Sequence, residues 1–311
     1  MEFFKKKTNF PFMGTRKIWY GLSILLVSIS LASLWFRGLN LAVDFTGGVT
    51  LEAQFPSEPN LDRIRSAVEK AGFAEAQVQN FGSSRDISIR LPPQPSLSPA
   101  EIRSRVDGAL LAIEPNVKLS KVDIVGPQVG AELRDSSVWA LIATVILIFI
   151  YVALRFNTLK LSVGAIIAAL HDPILVLGFF SLTQMHFDLA VVAAILAVIG
   201  YSLNDTVVVF DRIRECFVAN KRATSVEVLD EAVNSTLSRT VMTSVTTLIV
   251  VVVLYVLGGP ALQGFSAAII VGVIVGTYSS IYIAGAIALD LGLTAESLFP
   301  TRKKLAIDDM P

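Results

Sequence analysis

Six long apolar stretches dominate the pattern of hydrophobic and polar positions along the chain. Each approaches the roughly 20 residues that an α-helix needs to cross the hydrocarbon layer of a membrane. The first stretch is also longer than the apolar core of a usual cleaved signal peptide, so we interpret it as a retained anchor. The pattern predicts a polytopic α-helical membrane protein with six transmembrane helices, at about residues 18–36, 138–154, 161–182, 189–211, 239–257 and 265–289.

Between the first two spans, residues 37–135 mix apolar, polar and charged side chains, and they show shorter periodic patterns. Apolar and polar residues alternate over 49–55 and again over 87–91. Alternation of this kind is typical of half-buried strands. Two further strands are expected around Val78 and over 117–125.

Two helices are predicted within the same region. One follows Asn60, where apolar residues recur at helical spacing. The other begins at Ser98, because Pro99 suits the first helical position and Glu101 completes a capping box. The resulting order, βαββαβ, is the ferredoxin-like arrangement. We therefore predict one small extracytoplasmic α+β domain between the first and second helices.

The connections between the spans predict the orientation of the chain. Residues 183–188 and 258–264 contain no Lys or Arg, whereas the other connections and the amino-terminal segment are basic. The positive-inside rule therefore places both termini in the cytoplasm and the domain 37–135 in the periplasm. The basic residues are Lys5, Lys6, Lys7, Arg16, Lys17, Arg155, Lys160, Arg212, Arg214, Lys221, Arg222, Arg302, Lys303 and Lys304.

Three segments are expected on the cytoplasmic side. Residues 1–17 mix Phe with Lys and Arg, which suits a stretch lying on an anionic membrane surface. In the five-helix bundle 136–291, a second capping box, Thr224 with Glu227, starts an apolar stripe. We expect a short interfacial helix there, at about 224–234, ahead of the fifth span, and a tail over 292–311.

Composition agrees with a membrane protein and excludes several other classes. The 311 residues are 53% hydrophobic and 17% charged, with zero net charge and a mean hydropathy of +0.63. A neutral chain without a basic tract argues against nucleic-acid binding. The single cysteine, Cys216, excludes a disulfide framework, and two histidines at unrelated positions show no metal-ligand spacing. No phosphate-binding loop occurs, so the sequence predicts no cofactor and no metal.

The chemistry most out of place is Asp205, an ionisable carboxyl within the fourth span. Such a residue costs about 2.5–3.5 kcal/mol at the centre of a helix on insertion scales, and it normally faces a partner inside the bundle. Arg239 lies at a comparable depth on the fifth span and is the candidate partner. Ser202 shares a helix face with Asp205, as Thr243 does with Arg239; Asn204 is a further candidate.

The polar residues around Asp205 and Arg239 allow two interpretations. They could form a static ion pair with hydroxyl contacts that hold the helices together, or a path for an ion or proton. The second is favoured, because a buried ion pair contributes little stability over apolar packing.

The third span holds a second polar group, His171 and Asp172 before Pro173. These side chains either take part in ion transfer or satisfy backbone groups that Pro173 frees. In the last span, Gly272, Gly276 and Ser280 recur every four residues and predict a face for close helix packing. The packed helix would belong to this chain or to another subunit.

Several short runs along the chain form a further pattern. They are VDFTGG at 43–48, VGPQVG at 125–130, ALHD at 169–172, GYSLNDT at 200–206, DRIRE at 211–215, RT at 239–240, GG at 258–259 and GFS at 264–266. They cover nearly the whole chain in order, and the block from GYSLNDT to DRIRE is the most specific. Together these runs resemble the SecD/SecF family of protein-export membrane proteins, within the resistance-nodulation-division superfamily.

The resemblance implies a function and a site. The chain would match the smaller subunit of the family, which is not an enzyme and acts in preprotein translocation across the bacterial inner membrane. Asp205 and Arg239 match the pair implicated in proton conduction, and the external domain is the part that moves. The implied partners are SecD, completing a twelve-span unit, the SecY/SecE/SecG translocon with YajC, and unfolded preprotein.

Glycines lie at both roots of the external domain and could serve as hinges. They are Gly47, Gly48, Gly126 and Gly130. Two other classes of function stay open: a proton-driven small-molecule exporter of the same superfamily, and a structural scaffold of the translocon in which Asp205 never titrates. The exporter would normally need larger external domains than about 95 residues.

Overall fold

A computed structural model describes residues 8–299 except 74, 82, 95, 157 and 221. Within this part, six helices are long and apolar enough to cross a membrane, which confirms the predicted fold class. Residues 1–7 of the predicted interfacial segment and residues 300–311 of the predicted tail lie outside the described residues. We call the two faces of the bundle the domain side, where the α+β domain lies, and the terminal side.

Eleven α-helices are assigned in the described residues. They are α1 (Arg16–Phe36), α2 (Val43–Thr46), α3 (Leu61–Lys70), α4 (Pro99–Leu111), α5 (Pro127–Phe156), α6 (Leu159–Thr183), α7 (Leu189–Ala219), α8 (Ser225–Leu257), α9 (Pro260–Ser279), α10 (Gly285–Asp290) and α11 (Ala295–Leu298). A 3₁₀ turn at Met13–Thr15 precedes α1, and a π-helical turn, Ser280–Ala284, joins α9 to α10 into one span.

The α+β domain has the predicted βαββαβ order. Its strands are β1 (Gly48–Gln54), β2 (Gln77–Phe81), β3 (Ser83–Leu91) and β4 (Lys118–Val125), in the spatial order β2-β3-β1-β4 with every pair antiparallel. Leu51 on the central strand pairs with Ile89 of β3 and Val122 of β4.

One apolar core holds this domain together. Alternate strand residues and one face of each helix fill it, as the alternating and helical spacings require. Asn60 caps α3, and Ser98 with Glu101 forms the predicted capping box of α4. The fully buried members include Leu51, Ile64, Val68, Ile87, Ile89, Val106 and Leu110.

The second span begins earlier than the apolar pattern indicated. Helix α5 starts at Pro127 and runs for 30 residues, about 45 Å at 1.5 Å per residue. Hydropathy detects only the part that matches a hydrocarbon layer of about 30 Å. The polar first turns are nevertheless helical, so the helix continues beyond the predicted boundary at 136.

The separate interfacial helix predicted at about 224–234 is wrong. The capping box of Thr224 and Glu227 is present, but it opens one continuous helix, α8, of 33 residues. No Gly or Pro interrupts the chain between it and the fifth span. Its first turns bury Leu229 and Val233 in the bundle core rather than presenting an apolar stripe to lipid.

The described part of the amino-terminal segment also packs against protein. Phe12 and Met13 are buried in the core at the terminal side. The Met13 N–H donates to Asp230 Oδ1 at 2.8 Å, and Asn234 exchanges two hydrogen bonds with the Phe10 backbone, each 2.9 Å. Phe12 and Met13 therefore face the bundle core, and the membrane-surface position of this stretch stays a prediction.

Helices α6, α7 and α9 form the centre of the bundle, and α1, α5 and α8 are largely exposed around it. Close packing at the centre uses the small-residue face predicted in the last span. A Cβ added to Gly272 would meet Val198, and one added to Gly276 would lie 2.8 Å from Ser202 Cβ. The packed helix is therefore α7 of the same chain.

Candidate functional site

Asp205 lies at the middle of α7 with its side chain only 2% exposed. It is about 21 Å from the terminal-side end of the helix at 1.5 Å per residue. Its Oδ2 atom is buried without a hydrogen-bond partner in the described residues. A carboxylate in such a place is costly unless a partner approaches it or a proton neutralises it.

Arg239 does not provide that partner in this conformation. It lies at a similar level on α8, close enough for a coulombic interaction with Asp205. However, its side chain is exposed, and the two residues form no ion pair within 4.0 Å. Near Arg239 the buried face of α8 includes Thr236, Leu237, Thr240 and Ser244. Arg239 lies off this face, so its side chain points away from the bundle.

Two other predicted members of the site do not reach Asp205. Asn204 is exposed. The hydroxyl of Thr243 donates to the backbone oxygens of Arg239 at 3.2 Å and Thr240 at 2.9 Å within its own helix. By contrast, Thr240 Oγ1 is buried without a partner.

The best-bonded group in the bundle is the second predicted pair, His171 and Asp172. Asp172 is fully buried, and its Oδ2 accepts from Ser202 Oγ at 2.5 Å and from Ser279 Oγ at 3.0 Å. Its Oδ1 lies 3.0 Å from His171 Nδ1. Three helices, α6, α7 and α9, therefore converge on one carboxyl group.

Hydroxyl groups continue from this cluster toward the turn that carries Asp205. Ser280 Oγ donates to the backbone oxygen of Ser202 at 3.2 Å and lies 2.9 Å from Thr206 Oγ1. Thr206 directly follows Asp205 in α7. A separate hydroxyl contact joins Ser244 of α8 to Thr277 of α9 at 2.7 Å.

Sequence reasoning missed Ser279, Thr206 and Thr277 as members of this region. Their hydroxyl groups are visible in the sequence as polar positions in apolar spans. The contacts of Ser279 and Ser280 also depend on the π-helical turn that begins at Ser280, and apolar periodicity does not predict such a turn.

The proposed hinge glycines are tightly packed at the roots of the α+β domain. Gly47 and Gly48 have φ values of +70° and +121°, which favour glycine. A Cβ on Gly47 would lie 2.7 Å from Pro127 Cα, and one on Gly130 would lie 2.8 Å from Gly47 N. Only Gly126 of the four has open space around it. Close approach of α2 to α5 thus accounts for Gly47 and Gly130, and close approach of the Leu91 backbone accounts for Gly48.

No group of three or more His, Cys, Asp or Glu side chains that could hold a metal occurs in the described part of the chain. Cys216 is buried in the bundle core. The fold and these side chains define a class: a multi-pass membrane protein with an α+β domain on one side and buried carboxyl groups at the centre of its bundle.

Comparisons with known proteins give the family. Residues 106–294 match the model described as "Protein export membrane protein SecD/SecF, C-terminal", and residues 32–55 match the "SecD/SecF GG Motif". Over its whole length the chain is 41% identical to "Protein translocase subunit SecF" of Vibrio alginolyticus, covering 99% of that protein. It is 43% identical to the Haemophilus influenzae subunit of the same name, over 98% of this chain and 94% of that protein.

A solved structure matches as well. The crystal structure of SecDF, described as a translocon-associated membrane protein, from Thermus thermophilus superposes with a TM-score of 0.84 at 35% identity over 94% of this chain. The chain spans 39% of the length of that protein. The chain belongs to the SecD/SecF family of protein-export membrane proteins, and its full-length likeness is to the SecF subunit.

Proposed function

We propose that this chain is a proton-motive-force-coupled accessory subunit of the Sec translocase. It acts with SecD to complete the passage of preprotein across the bacterial inner membrane, alongside the SecY/SecE/SecG translocon and YajC. Both termini lie in the cytoplasm and the α+β domain lies in the periplasm. The family membership and the names of the full-length relatives support the export role.

One observation carries the proton step: Asp205 is buried with an unpartnered oxygen while Arg239 stays near it but unpaired. In this conformation a neutral, protonated carboxyl fits the site. If the Arg239 guanidinium moves against it, an ionised carboxylate fits instead. Proton uptake by Asp205 is therefore coupled to the movement of the helices that carry Asp205 and Arg239.

The energy available is sufficient to drive such a change. A proton crossing a potential of 100 mV releases about 2.3 kcal/mol. This free energy biases a two-state equilibrium by about fifty-fold, so even one proton per cycle can shift the bundle between two arrangements.

The shift reaches the domain along α7. From Asp205 this helix runs about 24 Å to its domain-side end at 1.5 Å per residue. There the Leu189 N–H donates to Asp44 Oδ2 at 3.0 Å. Asp44 belongs to α2, directly before Gly47 and Gly48 at the root of the domain.

The test is export of a slow precursor in cells carrying Asp205→Asn. The amide retains the shape of the side chain and cannot cycle its charge, so we expect the gradient-dependent part of export to disappear while the protein still inserts. Asp290→Asn serves as the matched control, since this carboxylate is exposed and bonds to Arg16 and Tyr20, away from Asp205. Normal gradient-stimulated export in Asp205→Asn would leave the chain a structural scaffold.

A further inference from the structure

Within the described part of the chain, no Lys or Arg side chain balances the carboxyl of Asp172. It lies about 17 Å from the domain-side end of α6 at 1.5 Å per residue. It is fully buried, and no Lys or Arg of the described residues is bonded to it. A buried carboxylate is strongly destabilised unless it is paired. Its charge must therefore be balanced within its own cluster.

His171 is the group able to balance it. With its Nδ1–H donating to Asp172 Oδ1 at 3.0 Å, the lone pair of the neutral ring lies on Nε2. His171 is 6% exposed, and its Nε2 is buried without a hydrogen-bond partner. His171 Nε2 is therefore a proton-accepting atom of the cluster that has no hydrogen-bond partner.

The π-helical turn connects this cluster with the Asp205 turn. Ser279 ends α9 and donates to Asp172, while Ser280, the next residue, contacts Thr206 and the Ser202 backbone. Because consecutive side chains of a helix point about 100° apart, Ser279 and Ser280 reach two different groups. They lie at a π-helical turn, and such turns are frequent at functional sites. Asp172 is thus linked by hydrogen bonds to the helix that carries Asp205.

Among the residues that the structure describes, few other ionisable groups lie near the cluster. From the last span, the Tyr278 ring lies 6.0 Å from the His171 ring, and its hydroxyl donates to the Trp19 backbone and accepts from Ser23 of α1. From α7 the nearest carboxyl along the helix is Asp205, one turn from Ser202. Gly276 leaves no room for a side chain beside Asp172.

We propose that His171 and Asp172 form a second proton-binding site of the bundle, coupled to Asp205 through Ser202 and the serines at the π-turn. A proton enters at Nε2 and makes an imidazolium paired with the Asp172 carboxylate. Transfer of the Nδ1 proton to Oδ1 then gives a neutral ring and a carboxylic acid. One proton is gained and no other reactant is needed. This inference rests on the proposed function.

The experiment is infrared difference spectroscopy of the full chain, purified with its SecD partner, over a pH titration. Protonated carboxyl groups give a distinct C=O band. We expect Asp172→Asn to lose one titrating band, Asp205→Asn to lose another, and Asp172→Asn also to lose gradient-stimulated export. An unchanged set of bands in Asp172→Asn overturns the proposal.

Ser181→Ala is the matched control. Ser181 is also buried on α6 and bonded to a hydroxyl, that of Ser33 at 2.7 Å, but lies away from the cluster. Both bands must survive this change. If Asp205→Asn exports normally, the proposed function fails whatever the Asp172 band does. If Asp205→Asn blocks export and no Asp172 band exists, only this inference fails.

A second variant covers the case in which Asp172→Asn does not accumulate. Ser279→Ala keeps the carboxyl and removes one of its two hydroxyl donors. Because a hydrogen bond to one protonation state changes the equilibrium between the two, the midpoint of the Asp172 band must shift. A midpoint identical to that of the unchanged protein overturns the assignment.

Discussion

At Gly48 the backbone has a φ of +121°, and an added Cβ would collide with the backbone oxygen of Leu91. We predict that Gly48→Ala destabilises the root of the domain by about 1–3 kcal/mol, the usual cost of a residue in such a conformation. Protease resistance of the full chain in membranes should fall accordingly. Gly126→Ala is the control, because nothing lies within 4 Å of its Cβ position; equal resistance of the two variants would contradict the prediction.

For the Asp205 site, the sequence predicted the burial of the carboxyl more readily than the arrangement of the residues around it. Burial of Asp205 follows from the apolar helix around it. The orientation of Arg239 does not, because α8 offers hydroxyl side chains at Thr236 and Thr240 that pack inward equally well. The choice of face depends on contacts with α7 and α9, which a single helix pattern does not contain.

At the scale of elements, the α+β domain carries a complete core of its own. We predict that residues 39–130, expressed alone, fold as a soluble unit with a cooperative melt and a dispersed amide spectrum. The buried strand residues and both helices belong to this segment, and its folding needs no contribution from lipid. A broad, non-cooperative melt would show that the bundle is required to complete it.

The same segment allows a matched test of the core. Leu51 is fully buried on the central strand, whereas Leu111 is 42% exposed at the end of α4. We expect Leu51→Ala to lower the free energy of unfolding by about 2–5 kcal/mol, the range for leucine truncation in cores. Leu111→Ala should change it far less. Urea unfolding measures both, and similar values would refute the assigned core.

The capping box of α4 predicts a pH dependence. Hydrogen bonds from Ser98 hold the pKa of Glu101 below its ordinary value. A carboxyl with a depressed folded pKa stabilises above its unfolded pKa of about 4.3 and loses this contribution as pH falls through the folded value. Glu101→Gln should therefore be less stable than the unchanged segment at neutral pH, and the gap should close in acid. A gap that persists in acid would exclude ionisation as its cause.

The sequence predicted whether each element is a helix or a strand more reliably than it predicted the first and last residues of the element. Strands and spans followed from alternation and apolar length. The starts of α5 and α8 lie outside the apolar windows, because polar residues such as Glu132 and Glu227 continue a helix as readily as apolar ones. The π-turn at Ser280 depends on how the last span packs against α6 and α7, so it has no local signal.

At the scale of the whole molecule, the domain and the bundle meet at the connection between α6 and α7. The backbones of Leu41 and Phe187 form a bridge, and Arg90 of β3 donates to Asn40 Oδ1 and the Leu41 oxygen, each at 2.9 Å. Burial lowers the pKa of Arg90 to about 10, so it stays charged at neutral pH. Two polar clefts of about 230 and 510 Å³ lie along this contact.

This contact must open or slide if the domain moves during export. On β2, Gln79 touches His186 of the connection through their side chains. We predict that Gln79→Cys with His186→Cys, joined by a short cleavable thiol cross-linker, stops export and that cleavage restores it. The buried Cys216 is replaced by Ala in this background, so that only the two new thiols react.

The physical reason for this prediction is the distance between Asp205 and the α+β domain. Asp205 lies at the middle of α7 and the folded domain lies beyond the domain-side ends of the spans. In the proposed mechanism, energy taken up at Asp205 therefore reaches the domain through helix shifts. A cross-link across the contact opposes the last step of that transfer and leaves the Asp205 site untouched. The Gln79→Cys variant alone, treated with the same reagent, controls for chemical modification. Export that is equally fast with the cross-link intact would mean that the domain is a static docking surface.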